Sequence, residues 1–143
     1  MVWSNYFLFE VDPDEFIRLR EQYSSTQKSV EVVPLALGNT QGTMDFNLMR
    51  HRGLSSAKTP NPNSIWRDRP HWQDAEIEQS IVVETSTIDA FCSQRGISVD
   101  FLKIDTEGSE FEVLEGGAEQ LSSAILGIRA EVAFGYIYND SKL

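Results

Sequence analysis

The chain has 143 residues, 22 acidic against 12 basic side chains, and a formal charge of −10. Such a surface repels nucleic acid and anionic membranes, so neither is expected as a partner. One cysteine, Cys92, rules out an internal disulfide framework and a multi-cysteine zinc site, and no apolar run approaches the roughly 20 residues that cross a bilayer. Leu, Ile, Val and Phe supply 39 of the 143 residues, enough for a packed core. The N-terminus lacks the basic flank and cleavage site of a signal peptide. The expectation is one cytoplasmic domain over residues 1–143, with a long loop at about 50–79.

Tyr6–Phe9 is a short apolar run ending at Glu10, the pattern of a strand buried on both faces. Asp12-Pro13-Asp14-Glu15 then reads as a helix start: an Asp cap, Pro at the first position and Glu three residues after the cap. Phe16, Leu19 and Tyr23 give that helix one apolar stripe. Val30–Leu37 reads as a strand, Gly38–Gly42 as a turn, and alternating Met44, Phe46 and Leu48 as a half-buried strand. Order returns at Ile81–Glu84, after which Ser86 or Thr87 caps a helix carrying Ile88, Phe91 and Cys92 and Gly96 ends it. Val99–Asp105 is a further strand, Val113, Leu114 and Leu121 mark a helix, and Ile125–Val132 a last strand. The alternation predicts an α/β fold, a doubly wound, mostly parallel sheet with Val99–Asp105 near its centre.

Two acidic features fall at the carboxyl ends of these strands, where open parallel sheets bind ligands. Glu10 ends the first strand; an acid there suits the two hydroxyls of a ribose, and equally flanks a helix N-terminus. Asp105, Glu107 and Glu110 lie within six positions around Gly108. They are placed to bind a metal, to accept a hydroxyl proton, to face a cationic group, or to cap the next helix. The strand-end rule predicts that Glu10 and Asp105 open onto one cleft. From Arg50 to Trp72 the charge is reversed: Arg50, Arg52, Lys58, Arg67 and Arg69 face only Asp68, with Trp66 and Trp72 between them. His51, Arg67 and His71 are the substrate candidates of this loop, which otherwise reads as a solvated connection.

The run Val99-Asp100-Phe101-Leu102-Lys103-Ile104-Asp105-Thr106-Glu107-Gly108-Ser109-Glu110-Phe111-Glu112-Val113-Leu114-Glu115-Gly116-Gly117 resembles the signature stretch of FkbM-type methyltransferases. Phe9-Glu10-Val11-Asp12-Pro13 is similar to a strand end of that family, with Val11 where proline is usual; Val33 to Gly38 with Gly42 after it, and Glu131 to Phe134 with Tyr138, agree in order. The resemblance spans most of the chain outside the loop. It implies a Rossmann-like fold, S-adenosylmethionine as cofactor, and methylation of a hydroxyl on a sugar or other small molecule.

Carried over by position, the resemblance puts Glu10 on the cofactor ribose and Asp105 and Glu107 near the transferred methyl. Ser55 and Ser56 fall in a segment near the cofactor. Asp105 is then the first candidate to take the hydroxyl proton, with His51 or His71 as alternatives, and no metal is called for. The family's first strand and glycine-rich loop have no counterpart in these 143 residues, so the domain reads as truncated at both ends. A binding domain that has lost its cofactor loop is the competing reading. Nothing in the sequence sets an oligomeric state.

Overall fold

The computed structural model describes residues 5–24 and 29–142, with the side chain of His71 outside the description. The fold is mixed α/β and divides after Ala36 into two compact units.

The first unit is a β-α-β element. Strand β1 (Asn5–Phe9) and strand β2 (Ser29–Val33) pair in parallel, Asn5 beside Ser29 and Phe9 beside Val33. The Glu10 N–H extends the ladder to Val33 O at 3.0 Å. Between them, helix α1 (Pro13–Tyr23) starts where Pro13 needs no hydrogen-bond partner and Asp12 Oδ1 accepts the Asp14 N–H at 3.0 Å. Glu15, three residues past the cap, does not close a capping box: it pairs with Arg18 one turn on, which holds its carboxyl below the ordinary range. Glu10 fills that role, its Oε1 accepting the Asp12 N–H at 2.8 Å. The expected strand Val30–Leu37 is interrupted because Pro34 has no N–H for a ladder. The chain turns there, Leu35 N–H donating to Val33 O, before the short β3 (Ala36–Leu37).

In the second unit β3, β5 (Ile77–Ser86) and β4 (Gly42–Met49) form a three-stranded sheet in that order. Strands β4 and β5 run antiparallel, Gly42 opposite Thr85 and Leu48 opposite Gln79. This corrects the parallel reading here: β5 follows β4 through loop 50–76 alone, with no crossover helix to reverse its direction. Helix α2 (Ile88–Arg95) has the expected ends, Thr87 Oγ1 accepting the Ala90 N–H and Gly96 closing it at φ +62°. Strands β6 (Phe101–Ile104) and β7 (Gly127–Ala130) pair in parallel, Phe101 beside Gly127 and Ile104 beside Ala130. Met49, Cys92, Ser56 and Val113 are the side chains most completely enclosed.

The helix expected through Val113, Leu114 and Leu121 is two: α3 (Glu110–Glu115) and α4 (Ala118–Ser123). The break follows from a close approach. A Cβ on Gly116 would lie 2.0 Å from the Gly38 carbonyl oxygen, and one on Gly117 3.0 Å from Ile88 Cδ1. Asp89 of α2 caps the second piece, its two carboxylate oxygens accepting the Glu119 and Gln120 N–H groups at 3.0 and 2.9 Å. A backbone carbonyl cannot swing aside as a side chain can, so Gly116→Ala should cost at least the ~1–3 kcal/mol typical of overpacking. Urea unfolding measures this; a Gly116→Ala protein as stable as the parent would contradict the packing described.

Candidate functional site

Strands β6 and β7 end together. Ile104 O accepts the Glu131 N–H at 3.1 Å, so Asp105 and Glu131 stand side by side, each one residue past its strand. They meet different fates. Lys103 Nζ donates to Asp105 Oδ2 at 2.6 Å, and this bond holds the Asp105 carboxyl below its usual range. Glu131 faces the Asp105 charge instead and is pushed up by it. Glu131 was not among the site residues expected from sequence; its register opposite Asp105 is the signal that locates it.

Beyond Asp105 the chain makes a left-handed turn, with Glu107 at φ +53° and Gly108 at φ +100°. A glutamate pays for that conformation in strain, so the neighbours must determine it. Three sets of bonds do so. Glu110 folds back into the turn: Oε1 accepts the Thr106 N–H at 2.9 Å and the Thr106 hydroxyl at 3.1 Å, and both its oxygens accept the Gly108 N–H. The Ser56 hydroxyl, from the long loop, donates to Glu107 O at 2.6 Å. The Tyr138 hydroxyl, from the segment after β7, donates to Glu107 Oε2 at 2.8 Å. Burial pushes the Glu107 carboxyl above its ordinary value, with Glu131, Asp105 and Glu110 adding like charge and the Tyr138 bond opposing.

With Glu110 committed to the turn, Asp105, Glu107 and Glu110 do not converge as a ligand set. Among the described residues no group of three or more His, Cys, Asp or Glu side chains is placed to hold a metal ion. The turn does offer one half-buried carboxylate of raised basicity beside an ion-paired one. It can take a proton and attract a cation.

The loop is built by turns rather than left as coil. Three-ten turns cover Arg52–Leu54 and Pro70–Ala75, and Asn47 bridges to Ser56. The segment near residues 58–61 is stitched to residues 136–140: Asn61 N–H donates to Ile137 O, Asn139 N–H to Thr59 O, and Lys58 Nζ pairs with Glu112 at 3.0 Å while donating to Asp140 O. The serines have structural duties. Ser55 Oγ accepts the Met49 N–H, and Ser56, with no exposed surface, donates to Glu107 O and accepts the Lys58 N–H. Ser56 therefore supports the turn, with its hydroxyl already bonded as donor and as acceptor.

His51 is exposed at the start of the first three-ten turn, its ring 3.0 Å from where a Gly53 Cβ would lie, and Arg67 pairs with its neighbour Asp68 at 3.5 Å. Neither reaches the turn at 105–110 by a hydrogen bond or ion pair among the described residues. The side chain of His71 lies outside the described residues. The basic charge of the loop is met by acids just beyond Trp72: Arg50 pairs with Glu76, and Arg52 with Glu78 at 3.8 Å. Glu10, in the first unit, is half-buried. Burial raises its carboxyl while the Asp12 and Val11 N–H groups oppose the rise.

The raised Glu107 has a consequence for stability. The folded chain holds the Glu107 proton more tightly than the unfolded chain. Its contribution to stability is complete below the ordinary carboxylate range and is lost as pH rises through the raised folded value. Glu107→Gln does not titrate and keeps an oxygen for Tyr138. Its stability relative to the parent should therefore increase between about pH 4 and pH 7. Urea midpoints at both pH values check this, and a relative stability that stays flat or falls would contradict it.

No helix among the described residues is long and apolar enough to cross a membrane. No solved structure matches the chain. A curated relative, the "2-O-methyltransferase NoeI" of Sinorhizobium fredii (strain NBRC 101917 / NGR234), is 29% identical over 83% of this chain, which spans about half (50%) of that relative's length. The sequence profile of the methyltransferase FkbM domain matches residues 3–139, the span that holds Glu10, the turn at Glu107 and Tyr138. The chain belongs to the FkbM methyltransferase family.

Proposed function

We propose that the protein carries out S-adenosylmethionine-dependent methyl transfer to a hydroxyl oxygen, with a sugar or another small hydroxylated molecule as acceptor. Membership of the methyltransferase family supports the transfer, and the curated relative's name, a 2-O-methyltransferase, supports oxygen as the acceptor atom. A Rossmann-like fold is part of the same reading, and the parallel pairs β1–β2 and β6–β7, each within its own unit, suit it.

The side chains fit the cofactor's chemistry. Asp105 and Glu131, side by side past two parallel strands, provide negative potential for a ligand that carries positive charge. Glu10, whose Oε1 already accepts one N–H, retains lone pairs for the hydroxyls of a ribose. When bound, the cofactor supplies an electrophilic methyl group on a sulfonium. As the acceptor oxygen gains that methyl it must lose its proton, and Glu107 takes it. The carrying observation is the contrast between the two acids nearest the turn. Asp105 is held ionised and weakly basic by Lys103, while burial makes Glu107 the stronger base. The role first expected of Asp105 is therefore assigned to Glu107.

The test uses the full-length protein, methyl-labelled S-adenosylmethionine and a panel of simple methyl glycosides. Glu107→Gln should lower kcat by about 10²–10⁴-fold with cofactor affinity retained, the range for loss of a general base. Glu10→Gln should do the reverse. Loss of a charge-assisted pair of hydrogen bonds weakens cofactor binding by roughly 10–150-fold, with fold stability little changed. Unchanged transfer in Glu107→Gln, or unchanged cofactor affinity in Glu10→Gln, would remove the corresponding role, and a parent protein that transfers no methyl would overturn the reading.

A further inference from the structure

Tyr138 lies in the irregular segment after β7, among side chains that face solvent: Val132, Phe134 and Tyr136 are 62%, 98% and 60% exposed. Tyr138 itself is 5% exposed. Its ring covers Gly108, where a Cβ would come within 3.0 Å of Tyr138 Cδ2, so the turn needs glycine both for its backbone and for this ring. Its hydroxyl is 2.8 Å from Glu107 Oε2 and 3.3 Å from Leu54 O. A hydroxyl has one proton, and the shorter contact to a carboxylate is the stronger claim on it. Glu107 Oε1 accepts no hydrogen bond among the described residues.

We propose that Tyr138 is the positioning residue of the methyl transfer, holding Glu107 by Oε2 so that Oε1 is the oxygen presented to the acceptor hydroxyl. This rests on the function proposed above. Burial and the Glu107 charge keep the phenol protonated far above its usual titration range, so Tyr138 remains a donor at every working pH. A donated bond favours the ionised carboxylate, which is the form that can take a proton. The other groups acting on Glu107 are acids: Asp105 and Glu110 in its own turn, and Glu131 past β7. Ser56, from the loop, binds only the Glu107 carbonyl and carries no charge. Tyr138 is thus the group among these that opposes the upward push on the base, and it also fixes which oxygen is free.

The experiment follows Glu107 directly, by ¹³C-carboxyl NMR titration of the full-length protein, and its work, by the pH profile of kcat for methyl transfer to the glycoside panel. Tyr138→Phe keeps the ring over Gly108 and removes the donor. The Glu107 titration and the acid limb of the profile should both move up by about one to two pH units, the equivalent of one hydrogen bond to a charged group. The KM for S-adenosylmethionine should not change. Ser56→Ala loosens the turn's backbone without removing the donor to the carboxylate and should move the titration less than Tyr138→Phe does. A Tyr138→Phe protein with the parent titration and pH profile overturns the inference, as does a uniform loss of kcat at all pH values, the mark of a structural role. A parent protein without methyl transfer overturns the function on which it rests. Transfer by the parent with an unmoved Tyr138→Phe profile overturns the positioning role alone.

Discussion

Everything around the site depends on one backbone conformation, the left-handed turn at Glu107–Gly108. A non-glycine residue at positive φ costs of order 1–3 kcal/mol and survives only where its surroundings over-determine it. Here they do, from three directions. Glu110 binds the turn's own N–H groups, Ser56 reaches in from the loop between β4 and β5, and Tyr138 reaches in from the chain after β7. These segments are far apart in sequence, 51 positions from Ser56 to Glu107 and 31 from Glu107 to Tyr138. The loop and the tail are therefore structural parts of the site, whether or not they touch substrate.

The same arrangement explains how a chain of charge −10 tolerates so many acids in one place. Each carboxylate near the turn has a different partner. Asp105 has Lys103, Glu110 has backbone N–H groups, and Glu112 has Lys58 in a pair that is largely out of water. Glu107 receives only a neutral hydroxyl. Environments that push neighbouring titratable groups apart give them different roles. On that ground the base we propose is Glu107 rather than Asp105, although the two residues look equivalent in sequence.

Much of the fold was legible where its cause is local. Asp12-Pro13 announces α1 and Gly96 ends α2 because capping needs only residues a few positions away. The breaks at Pro34 and at Gly116–Gly117 were missed for different reasons. Pro34 sits in a run that otherwise alternates like a strand, and the Gly116 break is caused by the Gly38 carbonyl, distant in sequence. The antiparallel pairing of β4 with β5 was hidden because strand direction is set by the connection, and loop 50–76 has no periodicity to read. At the site, Asp105 and Glu107 stood out by type and spacing. Ser56 and Tyr138 entered only through the family resemblance, and their bonds to Glu107 were not legible, since a serine in a loop and a tyrosine in a tail gain that meaning only from the tertiary contact. The pairing of Arg50 and Arg52 was not legible for a similar reason: their partners, Glu76 and Glu78, lie just past the stretch counted as basic.

The central claim is that loop and tail act on a single element, the Glu107 turn. A double-mutant cycle on Ser56→Ala and Tyr138→Phe tests it most directly, with stability measured by urea unfolding. The two side chains bind opposite ends of Glu107, its carbonyl and its carboxylate. If they hold one bistable turn, losing either releases much of what the other restrains. The sum of the single-mutant effects should then exceed the double-mutant effect by a coupling energy within the ~0.5–3 kcal/mol range of residues in one network. Effects that add to within about 0.3–0.5 kcal/mol, as independent sites do, would contradict the account.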